Sequence, residues 1–573
     1  MRRIQPRLPC CLLGVLMAIA FSLAELRAAT PYNILFIICD QEQGNLIPAA
    51  GYQTPARQAL TRRGVVFSNH YTAAAMCSPS RAAFLTGLPP QRTGVFDQME
   101  YPYVPNLNPR LPNMGSVLKQ MGYSTAFFGK FEMTRELIHT KDTVNYSRKL
   151  RPYGFDHFTA TGDVGSRPSS GFQNDAMIAA EAVQWLRRGA VGGGPDKKKP
   201  FFLVTSFLNP HDIMFADVNL PGEKVQKAKP PLTLSPPPAH VLYQKEWEFA
   251  LPPSLNESLT APGMPAALAE YNKGWSDALG RIPAYRPDMW RRFYSQYLNM
   301  IRDNDTALQQ IVDVLDKQDL WRNTIVILTA DHGEMGGAHG GLRGKGPFAY
   351  EQNAKVPFIV VHPDFPAGTS DVLTSHLDLL PTLVSFAGAT EAQARPMLKG
   401  LPGKDFTPGL RRENRSNPNA IRKGALFQYV GLLTLDASHC TRTLTGGVGE
   451  DAEKATDPAQ LKGKLGKRGF LTFVSDGRYK LARFYSPDNF NTPVTLDELF
   501  AHNDVQLFDL QNDPNELVNL AMDRVKHRGT LERMNTLMNE LMAREVGVNN
   551  GAFLPAVIRP AGVPALKLSL APK

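Results

Sequence analysis

Short runs of consecutive apolar residues alternate along most of this chain with segments of helical spacing. The runs "NILFIIC" (33–39), "STAFFG" (124–129), "FFLVTSF" (201–207), "TIVILTA" (324–330) and "VPFIVV" (356–361) read as strands buried on both faces. Between them, apolar residues recur at helical spacing over 54–64, 113–123, 175–188, about 289–318 and 375–388. Thr54 is placed to cap the first of these and Gly64 to stop it. Buried strands alternating with helices predict an α/β fold built on a doubly wound, mainly parallel sheet. The stretch 214–288 is rich in proline and shows little periodicity. After about residue 425 the pattern changes. "GALFQYV", "FLTFVSDGRYKLARF" and "VQLFDL" alternate like antiparallel strands, with a turn at Asp476-Gly477, and an amphipathic helix follows over 529–545. This predicts a smaller C-terminal α+β domain over 425–573, an antiparallel sheet plus a helix, beside a larger α/β domain over 25–424.

The first residues fit neither domain. Arg2, Arg3 and Arg7 form a basic segment, Cys11–Ala24 is an apolar run, and "SLA" at 22–24 suits cleavage. Residues 1–24 therefore read as a signal peptide, and an uncleaved anchor is the alternative. The run is short for a bilayer span, and no later segment is long and apolar enough for one. The expected location is exported, periplasmic or secreted, with no stable membrane span. Loss of the three leader arginines takes the formal charge from +10 to +7. That balance favours anionic small substrates, and the basic residues are too dispersed for a nucleic-acid face. Without Cys10 and Cys11 three cysteines remain, Cys39, Cys77 and Cys440. Three cannot all pair, and their spacing matches no zinc site.

Cys77 opens the stretch "CSPSRAAFLTG". Ser78 is a plausible N-cap, Pro79 a favoured first helical residue, and Gly87 a stop. Cys77 then lies at the positive end of a helix, with Arg81 one turn on, where a nucleophile is activated or an anion bound. Two predicted strands end in acids, one at Asp40 followed by Gln41, the other at Asp331 followed by His332 in "TADHGE". Ligands gather at the carboxyl ends of parallel strands, and two carboxylates meeting there call for a cation.

"CSPSRAAFLTG" resembles the signature of the formylglycine-dependent sulfatases, Cys-x-Pro-Ser-Arg followed by Thr-Gly. The resemblance extends through "FLNPHDI", "HGGLRGKGPFAYE" and "VQLFDLQNDPNELVNLA" and covers most of residues 32 to 522. It implies an alkaline-phosphatase-like fold and hydrolysis of a small-molecule or carbohydrate sulfate monoester. It implies that a formylglycine-generating maturation enzyme converts Cys77 to formylglycine. It implies a divalent ion on Asp40, Gln41, Asp331, His332 and the modified Cys77. Oxygen donors favour Ca2+, with Mg2+ or Mn2+ as alternatives. It assigns Arg81, Lys130 and Lys345 to the sulfate oxygens and His211 to protonation of the leaving group.

Two departures stand out. Most relatives have Asp-Asp where this chain has Asp40-Gln41, and the Asp-Gln pair resembles branches that act on choline sulfate or phosphonate monoesters. In "FFGKFEMT", Glu132 stands where the family has a histidine. Glu132 is the base, or it partners a neighbouring cation while a histidine such as His339 substitutes, or turnover is impaired. The alternative functions are a phosphonate or phosphate monoester hydrolase with the same residues, and a non-catalytic protein that binds sulfated ligands. The stretch 214–288 is expected to shape the substrate pocket, and Tyr243, Trp247, Trp275, Tyr285 and Trp290 either stack on substrate or pack the loop.

Overall fold

The computed structural model describes residues 31–46, 49–138, 146–159, 163, 165, 167–188, 194–446 and 454–567. The expected signal peptide lies outside them. No helix among the described residues is long and apolar enough to cross a membrane.

The strands in chain order are β1 (Asn33–Asp40), β2 (Val65–Phe67), β3 (His70–Tyr71), β4 (Ser124–Gly129), β5 (His157–Phe158), β6 (Phe201–Pro210), β7 (Thr324–Ala330), β8 (Phe358–Val361), β9 (Gly368–Ser370) and β10 (Thr374–Ser375). Eight of them form one sheet in the order β5-β4-β6-β1-β7-β8-β2-β9. The five strands from β5 to β7 run parallel, whereas β8 is antiparallel to both its neighbours. The predicted parallel architecture therefore holds at the centre and reverses at "VPFIVV".

Every residue of β1 is buried, because both of its faces are covered. Ile34, Phe36 and Ile38 pack with Phe84 and Leu380 on one side. Leu35 and Ile37 pack on the other side with Ile178, Leu308 and Ile311, from the helices Ser170–Arg187 and Pro287–Lys317. The first of these helices starts five residues before the predicted 175, since the backbone N–H groups of Gly171 and Phe172 are held by Asp212.

Four further strands, β11 (Ala425–Tyr429), β12 (Phe470–Ser475), β13 (Tyr479–Tyr485) and β14 (Asp504–Asp509), form an antiparallel sheet in that order. The helix Arg528–Leu541 covers one face. The other face, with Phe427, Phe473 and Phe484, is buried with Tyr71, Tyr271 and Trp275 of the larger part. The Pro-rich stretch is more ordered than expected. It contains the helix Ala266–Leu279, which starts after Pro265 and ends at Gly280. Tyr243, Trp247, Trp275 and Trp290 are buried there, so of the five aromatic residues only Tyr285 is exposed. Those four pack the insertion and present no stacking face to a ligand.

Candidate active site

The four central parallel strands deliver one or two residues each to the same sheet edge. β4 is followed by Lys130, β6 by His211, β1 ends on Asp40 before Gln41, and β7 is followed by Asp331 and His332. The register pairs Asp40 with Pro210 and Cys39 with Ala330, so these chain exits lie level. Gly129 makes the exit of β4 possible. Its φ is +103°, and a Cβ there would stand 1.9 Å from the Ser206 carbonyl. The Lys130 N–H donates to that carbonyl.

The helix Cys77–Thr86 points its first turn at this edge, and Gly87 closes it in a left-handed conformation. Ser78 is not the N-cap. The helix begins two residues earlier than predicted, at Cys77, and Ser78 is used sideways: its N–H donates to Gln98 Oε1, and its Oγ accepts from the Met99 N–H. Cys77 Sγ comes within 3.2 Å of His332 Nε2 and 3.7 Å of Asp40 Oδ1. Burial, followed by the Asp40 charge, pushes the thiol well above its ordinary range. The helix-end activation expected for a cysteine nucleophile is thus overridden, and the residue is a neutral thiol as encoded.

Arg81 is fully buried, and its donors are all used by the protein. Nε bonds Asp331 Oδ2 at 3.0 Å, one terminal nitrogen bonds the Lys130 carbonyl and Ser206 Oγ, and the other lies 3.3 Å from Asp40 Oδ2. In this arrangement Arg81 holds the two aspartates. Lys130 Nζ donates to Asp40 Oδ2 at 2.7 Å and lies 3.4 Å from Glu132 Oε2. Burial opposes ionisation of Asp40, but the cations Lys130, Arg81 and Lys345 hold it well below the usual carboxylate range.

Glu132 adopts a left-handed φ of 57°, with its N–H held by Asp163 Oδ2. Its carboxylate faces Lys130 and, at 3.8 Å, Arg81, and neither oxygen has a hydrogen-bond donor. Burial raises its pKa well above the ordinary value, while Lys130 pulls the other way. His339 is not placed to substitute for it: the ring stacks on Tyr350 at 3.5 Å and bonds Glu257, away from these groups. His211 is buried and its Nδ1 has no partner. Burial, then Lys345, keeps its imidazole well below the ordinary histidine value, so it is neutral at pH 7. Lys345 Nζ donates to Gln41 Oε1 at 2.5 Å and to Met214 Sδ at 2.9 Å.

One ligand atom each from Asp40, Cys77, Asp331 and His332 lie within 4.8 Å of one another. Burial brings His332 down to about 4, leaving Nε2 free to act as a neutral ligand while Nδ1 faces the Gly333 carbonyl. Two carboxylates and an imidazole fit a divalent cation. The Cys77 sulfur stands in this set for the oxygens of formylglycine. Gln41 lies beside the set, with its N–H on Asp331 Oδ1, but its side chain turns to Lys345 and to Glu334. Two site elements escaped the sequence reading, Met214 and Glu334. The glutamate of "TADHGE" was visible, but its bond to Gln41 spans 293 residues. Cys39 and Cys440 are both buried and unpaired.

Four parallel strand ends and a helix N-terminus converging on one sheet edge define an alkaline-phosphatase-like α/β fold. Solved structures share it. The phosphonate monoester hydrolase of Agrobacterium radiobacter superposes with a TM-score of 0.60 at 21% identity, covering 90% of this chain and 96% of that one. A 2-O GAG sulfatase gives 0.62 at 20% identity, covering 93% and 99%. The family model "Sulfatase" matches residues 32–389, and the chain belongs to the sulfatase family, as a sulfuric ester hydrolase. Among curated relatives, the choline-sulfatase of Rhizobium meliloti is 25% identical over 430 residues, 70% of this chain and 76% of that protein. The Delta 4,5-hexuronate-2-O-sulfatase of Bacteroides thetaiotaomicron is 24% identical over 543 residues, 92% of each.

Proposed function

We propose that this enzyme is exported and hydrolyses a sulfate monoester at a formylglycine made from Cys77 by a maturation enzyme, beside a divalent ion, Ca2+ by preference. The observation that carries the reading is the position of Cys77, at a helix N-terminus within 3.7 Å of both Asp40 and His332. Hydrated formylglycine would supply the attacking hydroxyl, and a divalent ion, which Asp40, Asp331 and His332 would hold, would supply the positive field that favours its ionised form.

The remaining roles belong to side chains of the chain itself. Lys130 and Lys345 neutralise the sulfate oxygens as negative charge builds on them. Arg81 keeps Asp40 and Asp331 in place. His211 is neutral in the free site; the arriving ester anion favours its protonation, and it then donates to the leaving oxygen. Glu132, with two oxygens free of hydrogen-bond donors, is the proton acceptor for sulfate release. Export rests on the basic and apolar segments of residues 1–24, and N-terminal sequencing of the mature protein tests it.

The test is turnover of matched 4-nitrophenyl esters by protein made with a formylglycine-generating system. Faster hydrolysis of the sulfate supports the reading. Faster hydrolysis of the phosphonate would favour the second reading, which the Asp40-Gln41 pair supports.

A further inference from the structure

We propose that Glu334 is a positioning residue which, through Gln41, aims the Lys345 ammonium at the sulfate. The inference rests on the reading of Lys345 as a sulfate-binding group. Glu334 is almost fully buried and makes three bonds. Oε2 accepts from Gln41 Nε2 at 2.5 Å, and Oε1 accepts from the backbone N–H groups of Gly336 and Gly344 at 2.9 and 2.7 Å. The last two bonds clamp both ends of the loop that delivers Lys345. The first fixes the amide of Gln41. A carboxylate only accepts and an ammonium only donates, so the amide must turn its NH2 to Glu334 and its carbonyl to Lys345.

The backbone of Gln41 is equally held. Its N–H donates to Asp331 Oδ1 and its carbonyl accepts from Tyr297 Oη. Gln41 therefore spaces an anion from a cation while relaying the polarity of one to the other. The two hydrogen-bond acceptors of Lys345, Gln41 and the thioether of Met214, are neutral, so neither competes with an incoming anion. An aspartate at position 41 would be too short for the bridge and would face Glu334 with like charge. The Asp-Gln pair of this chain and Glu334 thus form one device.

The test compares the matured wild type with E334Q, Q41L, Q41E and the swap Q41E/E334Q, at saturating divalent ion. In E334Q one amide must present the wrong group to its neighbour. KM for 4-nitrophenyl sulfate and the inhibition constant for inorganic sulfate are expected to rise about tenfold or more, as for loss of a charge-assisted hydrogen bond, with kcat much less affected. Q41L, which leaves the two backbone bonds of Glu334 intact, raises them similarly. In the swap, the carboxylate now at position 41 accepts from Lys345 and from the NH2 of the amide now at position 334. Sulfate affinity then exceeds that of Q41E, in which two carboxylates face each other, but stays below wild type, because a carboxylate paired with Lys345 competes with the incoming anion. Unchanged KM and sulfate affinity in folded E334Q or Q41L would overturn the proposal, as would a folded swap that binds sulfate no better than Q41E. If the wild type released no sulfate from any ester, the functional reading would fail. Calorimetric sulfate binding to the unconverted Cys77 form would still decide the role of Glu334.

Discussion

Cys77 Sγ lies 3.2 Å from His332 Nε2, inside a pocket that keeps the thiol protonated. A protonated thiol is a poor nucleophile and a poor ligand. A hard divalent ion takes oxygen donors, so an oxygen at this position would suit the proposed site. The tryptic peptide Gly64–Arg81 from protein co-expressed with a formylglycine-generating enzyme is expected at the aldehyde mass and to trap as a hydrazone. C77A should be inactive and still folded. A peptide at the free-thiol mass, with a control sulfatase converted in parallel, would remove the proposed nucleophile.

Glu132 yields a prediction with a defined sign. A base must be deprotonated, and burial raises the pKa of this group above 4.5, so kcat rises with pH along a limb lying above the ordinary glutamate range. E132Q should lower kcat about a hundredfold and abolish that limb, and E132H should restore much of the rate. If E132Q turned over at the wild-type rate, Glu132 could not be the acceptor.

Removal of the divalent ion should abolish turnover and lower the melting temperature, because Asp40 and Asp331 are buried around the place it would occupy. Returning Ca2+ at a hundred times its Kd should stabilise the fold by about 2.7 kcal/mol. Titration of the chelated protein with Ca2+, Mg2+ and Mn2+, followed by melting, ranks the ions. A melting temperature indifferent to all three would contradict the assignment.

The junction of the two sheets should be a separate source of stability. Lys480 of β13 is fully buried between Glu351 at 2.8 Å and Glu516 at 2.5 Å. K480M leaves two carboxylates buried without their cation and should cost about 3–5 kcal/mol in urea unfolding. Neutralising all three residues should recover most of that loss. Equal stability of K480M and wild type would mean that water reaches the cluster.

The sequence by itself determined the longer strands β1, β4, β6, β7 and β8, because consecutive apolar residues bounded by turns are legible locally, whereas β2, β3, β5, β9 and β10 are two or three residues long and carry no such run. It also marked Cys77, Asp40, Lys130, His211, Asp331 and Lys345 as candidates, since each stands at a recognisable strand exit, a helix start or a family motif. The local rule for caps failed at Ser78, where Gln98 and Met99 compete for the same polar atoms. Periodicity was missed at Ala266–Leu279, whose apolar face is set among prolines. Only the tertiary structure decided that Arg81 is spent on two aspartates, that the insertion's tryptophans face inward, and that Gln41 joins Glu334 to Lys345. The physical reason is common to all three. The orientation of a buried polar or aromatic side chain is set by whichever distant partner satisfies it, and that partner is named only when the strands are brought side by side.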